Sequence, residues 1–352
     1  MSEAPRSPLR PPARRTWLWV LAVVLCCILL LTAHEYFLRS DWGQLADHRT
    51  TESRWEHITQ GIPATRTDEG GATFAYRILH AVPWVAFCVS AAIFLTIMFV
   101  RQRFLGAAIA ASTFVGAMLT TQAVKHWGVW GMGQRENPDI STFDAGMVDW
   151  WWMPSSLPSF PSGHATLTAA AAVAVFLVSA PKQRPALGLF TGLMAAISGG
   201  AIFLSSHFPS DILGAYLIVA VWGLIGGWVI MRTGEGWNTV TVENDTYAGG
   251  ASGLAIFLGI VLTGAALLAY LFAGGFSALA VEWGSPEAPT SPSGWHWVAG
   301  VLLSTGPAFL LCGAGILFFN AETGRRRYGH PLPDRQQIKH PIPPNFAHLY
   351  EV

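Results

Sequence analysis

Charge is what this sequence has least of. Asp, Glu, Lys and Arg make up 12% of its 352 residues, against about 25% in an average soluble domain. Hydrophobic residues reach 52%. That balance excludes an ordinary soluble domain, a disordered chain and a protein that grips nucleic acid through a basic surface. Neither sign of charge dominates, with 21 basic and 21 acidic residues, so no bulk field selects a partner. Cysteine is scarce too. Cys26, Cys27, Cys88 and Cys312 all sit in apolar stretches, without metal-ligand spacing and away from any loop they could staple. They read as small apolar packing residues. No internal repeat is present.

The absent charges are absent in blocks. Eight stretches hold no Asp, Glu, Lys or Arg: 16–33, 78–100, 104–124, 150–181, 185–210, 212–231, 246–281 and 288–321. A hydrocarbon core about 30 Å thick needs roughly 20 apolar residues in a helix. The expectation is an all-α, polytopic membrane protein with eight transmembrane helices at 16–33, 82–100, 104–124, 162–180, 186–206, 211–231, 252–273 and 296–319. Lipid-spanning strands would have to alternate and close into a barrel, which these runs do not do. The first run is read as an uncleaved anchor, being longer than a signal-peptide core and lacking a clear small-residue cleavage site. The basic residues set the orientation. With the N-terminus inside, 14 of the 21 fall inside, including the short loops at 101–103 and 181–185. Both termini are then cytoplasmic, with residues 1–15 and 320–352 as tails. The basic, Pro-rich tail from 320 is read as extended and held near anionic headgroups by Arg325, Arg326 and Arg327.

Three polar clusters stand at helix ends, and this topology puts all three outside. They are KHWGVWGMGQRENP (Lys125–Pro138) after the third helix, SFPSGH (Ser159–His164) opening the fourth, and HFPSD (His207–Asp211) between the fifth and sixth. His164 and His207 are 43 positions apart. That fits one helix across, a basic turn and one helix back, returning both imidazoles to the same face. Backbone N–H groups at the Ser162-Gly163 helix start form an anion site, and Gly163 permits close approach. Lys125 and Arg135 add fixed positive charge suited to phosphate oxygens. Asp211, four residues after His207, can fix its tautomer and leave the other nitrogen to attack. His164 can protonate the departing oxygen. These groups suffice for phosphoryl transfer through a phosphohistidine and need neither metal nor cofactor.

SFPSGHAT followed by H-x-x-x-D resembles the type 2 phosphatidic acid phosphatase superfamily, which includes bacterial lipid phosphatases, glucose-6-phosphatases and vanadium haloperoxidases. The likeness is specific over roughly 120–231. The resemblance implies a six-helix phosphatase core over 16–231, with a linker and two additional transmembrane helices over 232–319. It implies His207 as nucleophile, Asp211 as its partner and His164 as acid, with Lys125, Arg135, Ser162 and Gly163 holding phosphate. The chain departs from the family pattern in two places. Lys125 and Arg135 are ten rather than seven apart. The arginine expected six before His207 is Ala201, and no Arg or Lys occurs from 185 to 231. Lys125 and His126 are the candidates to replace it.

The expected activity is that of a membrane lipid phosphatase acting at the outer face of a bacterial cytoplasmic membrane. Undecaprenyl diphosphate, phosphatidylglycerol phosphate, phosphatidic acid and lipid A phosphates all qualify as substrates. Trp127, Trp130 and Trp150–Trp152 suit the interface, and Asp139, Asp144 and Asp149 read as solvated loop acids. Two other readings stay open. One is a phosphotransferase whose acceptor groove comes from helices 7 and 8. The other is a non-catalytic lipid-binding or transport protein on the same scaffold, favoured by Ala201. A channel or pump fits less well, since no charge lies within the spans.

Overall fold

A computed structural model of the chain describes residues 15–40, 43–44, 46–51, 53, 74–126, 159–205, 207–233, 238–241, 248–274 and 293–326. Among these residues the architecture is an all-α bundle of eight apolar helices. These are α1 (Thr16–His34, continued by a π-helical turn Glu35–Arg39), α2 (Phe74–Arg101), α3 (Phe104–His126), α4 (Gly163–Val178), α5 (Arg184–Ser205), α6 (Pro209–Thr233), α7 (Ala248–Phe272) and α8 (Gly294–Glu322). Each expected span is matched by one helix. Two three-residue strands, β1 (Thr239–Thr241) and β2 (Gly324–Arg326), pair in parallel on the face opposite the site.

Seven of the helices are long and apolar enough to cross a membrane, and the protein is multi-pass. The eighth, α4, corrects the expected 162–180 span. It has 16 residues, about 24 Å at the α-helical rise, which is shorter than the hydrocarbon core. Most of its residues are buried, including the run Ala169–Ala172. It is the central helix and does not have to match lipid thickness. The extended Phe160–Ser162 leading into it is buried as well, the setting in which non-helical backbone at membrane depth is tolerated. By contrast α1, α2, α3 and α7 present large apolar side chains outward, among them Leu21, Val85, Leu119 and Leu267.

Small residues let the inner helices approach closely. The Gly-rich segments 192–200 and 222–227 both receive side chains of α8. A Cβ on Gly192 would lie 3.0 Å from Cys312 of α8, and one on Gly227 would lie 2.2 Å from Phe319 of α8. Gly199 is among the tightest of them. The Tyr216 hydroxyl beside it donates to the carbonyls of Ala195 at 2.7 Å and Ser304 at 3.0 Å, joining α5, α6 and α8. A Cβ at Gly199 would stand 2.0 Å from that oxygen. Gly199→Ala is therefore expected to break the junction and cost about 1–3 kcal/mol. A thermal melt of the purified variant checks it; an unchanged midpoint would refute the packing.

Helices 7 and 8 are not a loose appendage. Arg15 and the Trp19 indole both donate to Glu322, the last residue of α8, and Trp19 packs edge-on against Phe318 and Phe319. Helix α8 runs three residues past its expected end because Arg15 neutralises this buried carboxylate. Residues 324–326 form β2, so the start of the tail is extended and paired with β1. On the same face Arg184 donates to the Asn238 side chain, and Arg103 donates to the Val178 carbonyl at the end of α4, 3.1 Å away.

Candidate active site

At the opposite end of the bundle α4 begins where α3 finishes and where α5 turns into α6. Ser162 is the N-cap of α4, with extended backbone and its hydroxyl accepting from the Ala165 N–H at 3.3 Å, the usual way to satisfy one orphan donor of a helix start. The Ser162 N–H is also engaged, donating to the Asp211 carbonyl at 2.9 Å. This narrows the expected anion site. The amides in the first turn without an intrahelical acceptor are those of Gly163 and His164. Phe160, fully buried, packs against Gly214 of α6 and lies 5.9 Å from the His34 ring. A Cβ on Gly214 would meet the Phe160 ring at 2.4 Å. The turn that carries Ser162 to His164 is thus seated on α6.

His207 precedes α6, and Pro209 opens that helix, a position where its missing N–H costs nothing. Asp211, in the first turn, is favoured there by the helix dipole and is completely buried. Its carboxylate accepts from the His207 Nδ1 at 3.2 Å, from the Ser159 hydroxyl at 3.3 Å and from the Phe208 N–H at 3.4 Å. The contact with Nδ1 assigns the proton to that nitrogen and directs Nε2 away from Asp211. The His164 ring stands 6.4 Å from the His207 ring, centroid to centroid. Lys125, half-buried at the end of α3, is within Coulombic reach of both Asp211 and His164. The two imidazoles, the buried carboxylate and one cation therefore meet on one face, with two unfilled helix-start amides beside them.

Two further side chains join the cluster from α2. The His80 ring lies 6.3 Å from His164, and the Trp84 ring 6.1 Å from it on the next turn. Sequence reasoning missed both. His80 carries no formal charge and sat unremarked inside a charge-free run. Its i, i+4 spacing from Trp84, at the membrane edge, was the available signal. Ser159, which supports Asp211, was recognised only as part of a motif.

Other expected members are not placed together here. Arg135, Trp127, Trp130, Trp150–Trp152, Asp139, Asp144 and Asp149 lie outside the described residues. Ala201 is 6% exposed within α5. Its neighbour Gly200 would bring a Cβ within 3.3 Å of Thr305, so α8 packs against this level of α5. Among the described residues no three His, Cys, Asp or Glu side chains are placed to hold a metal ion.

Residues 107–235 match the profile of the PAP2 superfamily. The match begins within α3, ends just after α6 and contains Lys125, His164, His207 and Asp211. No curated protein and no solved structure matches the chain.

Proposed function

We propose, for a chain whose residues 107–235 match the PAP2 superfamily profile, that the phosphatase-type activity on phosphate esters which this match suggests is directed at a lipid phosphate. The observation that carries the reading is the approach of the His164 and His207 rings to 6.4 Å, with Asp211 on the Nδ1 of His207. A phosphorus atom between the two rings can be attacked from one side while its leaving oxygen receives a proton from the other.

His207 Nε2 attacks phosphorus, the bond to the lipid oxygen breaks, and His164 donates its proton to that oxygen. Asp211 stabilises the charged His207 ring as the N–P bond forms. Water then attacks the phosphohistidine, His164 takes a proton from the water, and inorganic phosphate leaves. Lys125 balances charge on the non-bridging oxygens, and the amides of Gly163 and His164 donate to them. Ser162 holds that turn through its cap. Arg135 completes the phosphate-binding set in this reading, as the motif resemblance implies. The bundle's lipid-facing sides and the position of the site at helix ends favour a substrate held in the bilayer. The basic loops at the other end favour a site at the exterior face of the cell membrane and termini in the cytoplasm. Undecaprenyl diphosphate, phosphatidylglycerol phosphate, phosphatidic acid and lipid A phosphates form the panel to assay. Release of phosphate from one of them, inhibited by vanadate and unaffected by EDTA, is the expected result. Release that EDTA abolishes would reject the metal-independent route.

Ala201 favours a second reading, in which the scaffold binds a lipid phosphate without turning it over. The two readings differ in whether label from a radioactive lipid phosphate becomes covalently attached. On the first reading the surrounding groups already supply the charge that Ala201 lacks. Placing a guanidinium at this buried, α8-packed level would then add desolvation cost without benefit. Ala201→Arg is expected to lower the melting temperature and leave the rate unchanged or reduced. A rate increase at unchanged stability would show instead that the place is vacant and limiting.

A further inference from the structure

We propose that Arg49, Tyr270 and His296 form a second oxyanion site on the same face as the catalytic cluster, one that takes a phosphate group either as a lipid headgroup or as free phosphate. The proposal goes beyond the phosphatase reading and does not depend on it.

The argument is one of donors without an acceptor. Arg49 lies in the helical segment 46–51 that follows α1, and it is 7% exposed. Among the described residues no carboxylate lies within ion-pair distance of it. Its charge acts on Tyr270, near the end of α7, and on His296, in the first turn of α8. The rings of these two residues are 5.7 Å apart. His296 is 2% exposed, and its Nδ1 accepts from the Ser293 N–H at 3.0 Å. The ring proton is thereby assigned to Nε2, a buried donor with no partner among the described residues. The buried Tyr270 hydroxyl has no partner among the described residues either.

A buried donor left without an acceptor is destabilising, and a largely buried cation without a counter-charge adds to that cost. Two such donors beside a cation with no described carboxylate partner, drawn from three separate segments, are not a packing remainder. A tetrahedral oxyanion presents several acceptor oxygens and the charge that Arg49 lacks. The positive end of α8 adds to the same preference. A bound cation is disfavoured by Arg49. Asp47 stands in the same segment and also acts electrostatically on Tyr270, but its carboxylate accepts from the buried Ser210 hydroxyl. Ser210 immediately precedes Asp211, so occupancy of this site is linked through Asp47 to the carboxylate that holds His207.

The test uses the purified full-length protein in detergent and radiolabelled inorganic phosphate at equilibrium. Wild type is expected to show an Arg49-dependent class of binding that Arg49→Met loses and that Tyr270→Phe weakens by about tenfold. In phosphate-free buffer Arg49→Met is expected to melt at or above wild type, because an uncompensated buried charge has been removed, and phosphate should raise its midpoint less. Phosphate binding that is the same in Arg49→Met and wild type would overturn the proposal, as would a lower midpoint for that variant without phosphate. If Arg49→Met does not fold, the proposal stands or falls on Tyr270→Phe, and unchanged affinity there overturns it. A short-chain phosphatidic acid that displaces the label at lower concentration than inorganic phosphate assigns the site to a lipid headgroup; the reverse order assigns it to free phosphate. None of these readouts requires turnover, so a chain that bound phosphate here and hydrolysed nothing would contradict only the phosphatase reading.

Discussion

Replacing His207 by alanine is expected to reduce phosphate release from a lipid phosphate by at least about 1,000-fold, with the melting temperature close to that of wild type. The size follows from the role. A nucleophile that forms the covalent intermediate has no neighbour able to take its place, and groups acting as one unit lose nearly all of their joint effect when one is removed. His164 cannot substitute, because its ring stands 6.4 Å away and, among the described residues, no carboxylate holds its ring as Asp211 holds His207. Stability should be spared because His207 is a partly exposed residue between helices. The burial cost falls on Asp211, which still accepts from Ser159 and from the Phe208 N–H. Phosphate release assayed on folded, monodisperse H207A protein checks this. Activity within tenfold of wild type would remove His207 from the mechanism.

His164→Ala carries the second large effect, and its signature lies in the leaving group. With an alkyl lipid phosphate the loss is expected to be about 100- to 10,000-fold, the range for a positioned general acid. With p-nitrophenyl phosphate, whose departing phenolate is stable without a proton, the loss should be at least tenfold smaller. That difference separates an acid from a residue that merely supports the turn, since a structural role would depress both substrates alike. His80→Phe provides the companion measurement. The ring lies 6.3 Å from His164, and its removal should alter the His164-dependent step without abolishing the N–P intermediate. An equal loss on both substrates for His164→Ala would contradict the assignment.

Much of this architecture was legible in the sequence because membrane helices announce themselves by the absence of charge. All eight appear where the charge-free runs lie, and the 43-residue spacing did return His164 and His207 to one face. Asp211 reached His207 because four residues make one turn at a helix start. What could not be read came from packing between segments distant in the chain. The length of α4 is set by its burial among other helices, which no local pattern encodes. The Ser162 amide is taken by the Asp211 carbonyl, 49 positions on, so only the folded chain shows that Gly163 and His164 hold the unfilled donors. His80 joins the cluster because α2 lies against α4, and a neutral imidazole leaves no trace in a charge count. Arg49 acts on Tyr270 and His296, more than 200 positions away, a relation that no local pattern encodes.

The most direct measurement is to trap the intermediate. Wild-type protein mixed with a lipid phosphate labelled at phosphorus, quenched in alkali within one turnover and digested, should yield a labelled peptide containing residue 207, with the label stable to base and lost in acid. His164→Ala, slowed in transfer to water as well as in attack, should still show that peptide, whereas His207→Ala should show none. Turnover without any labelled histidine peptide, or label carried on a serine or a carboxylate, would contradict the account.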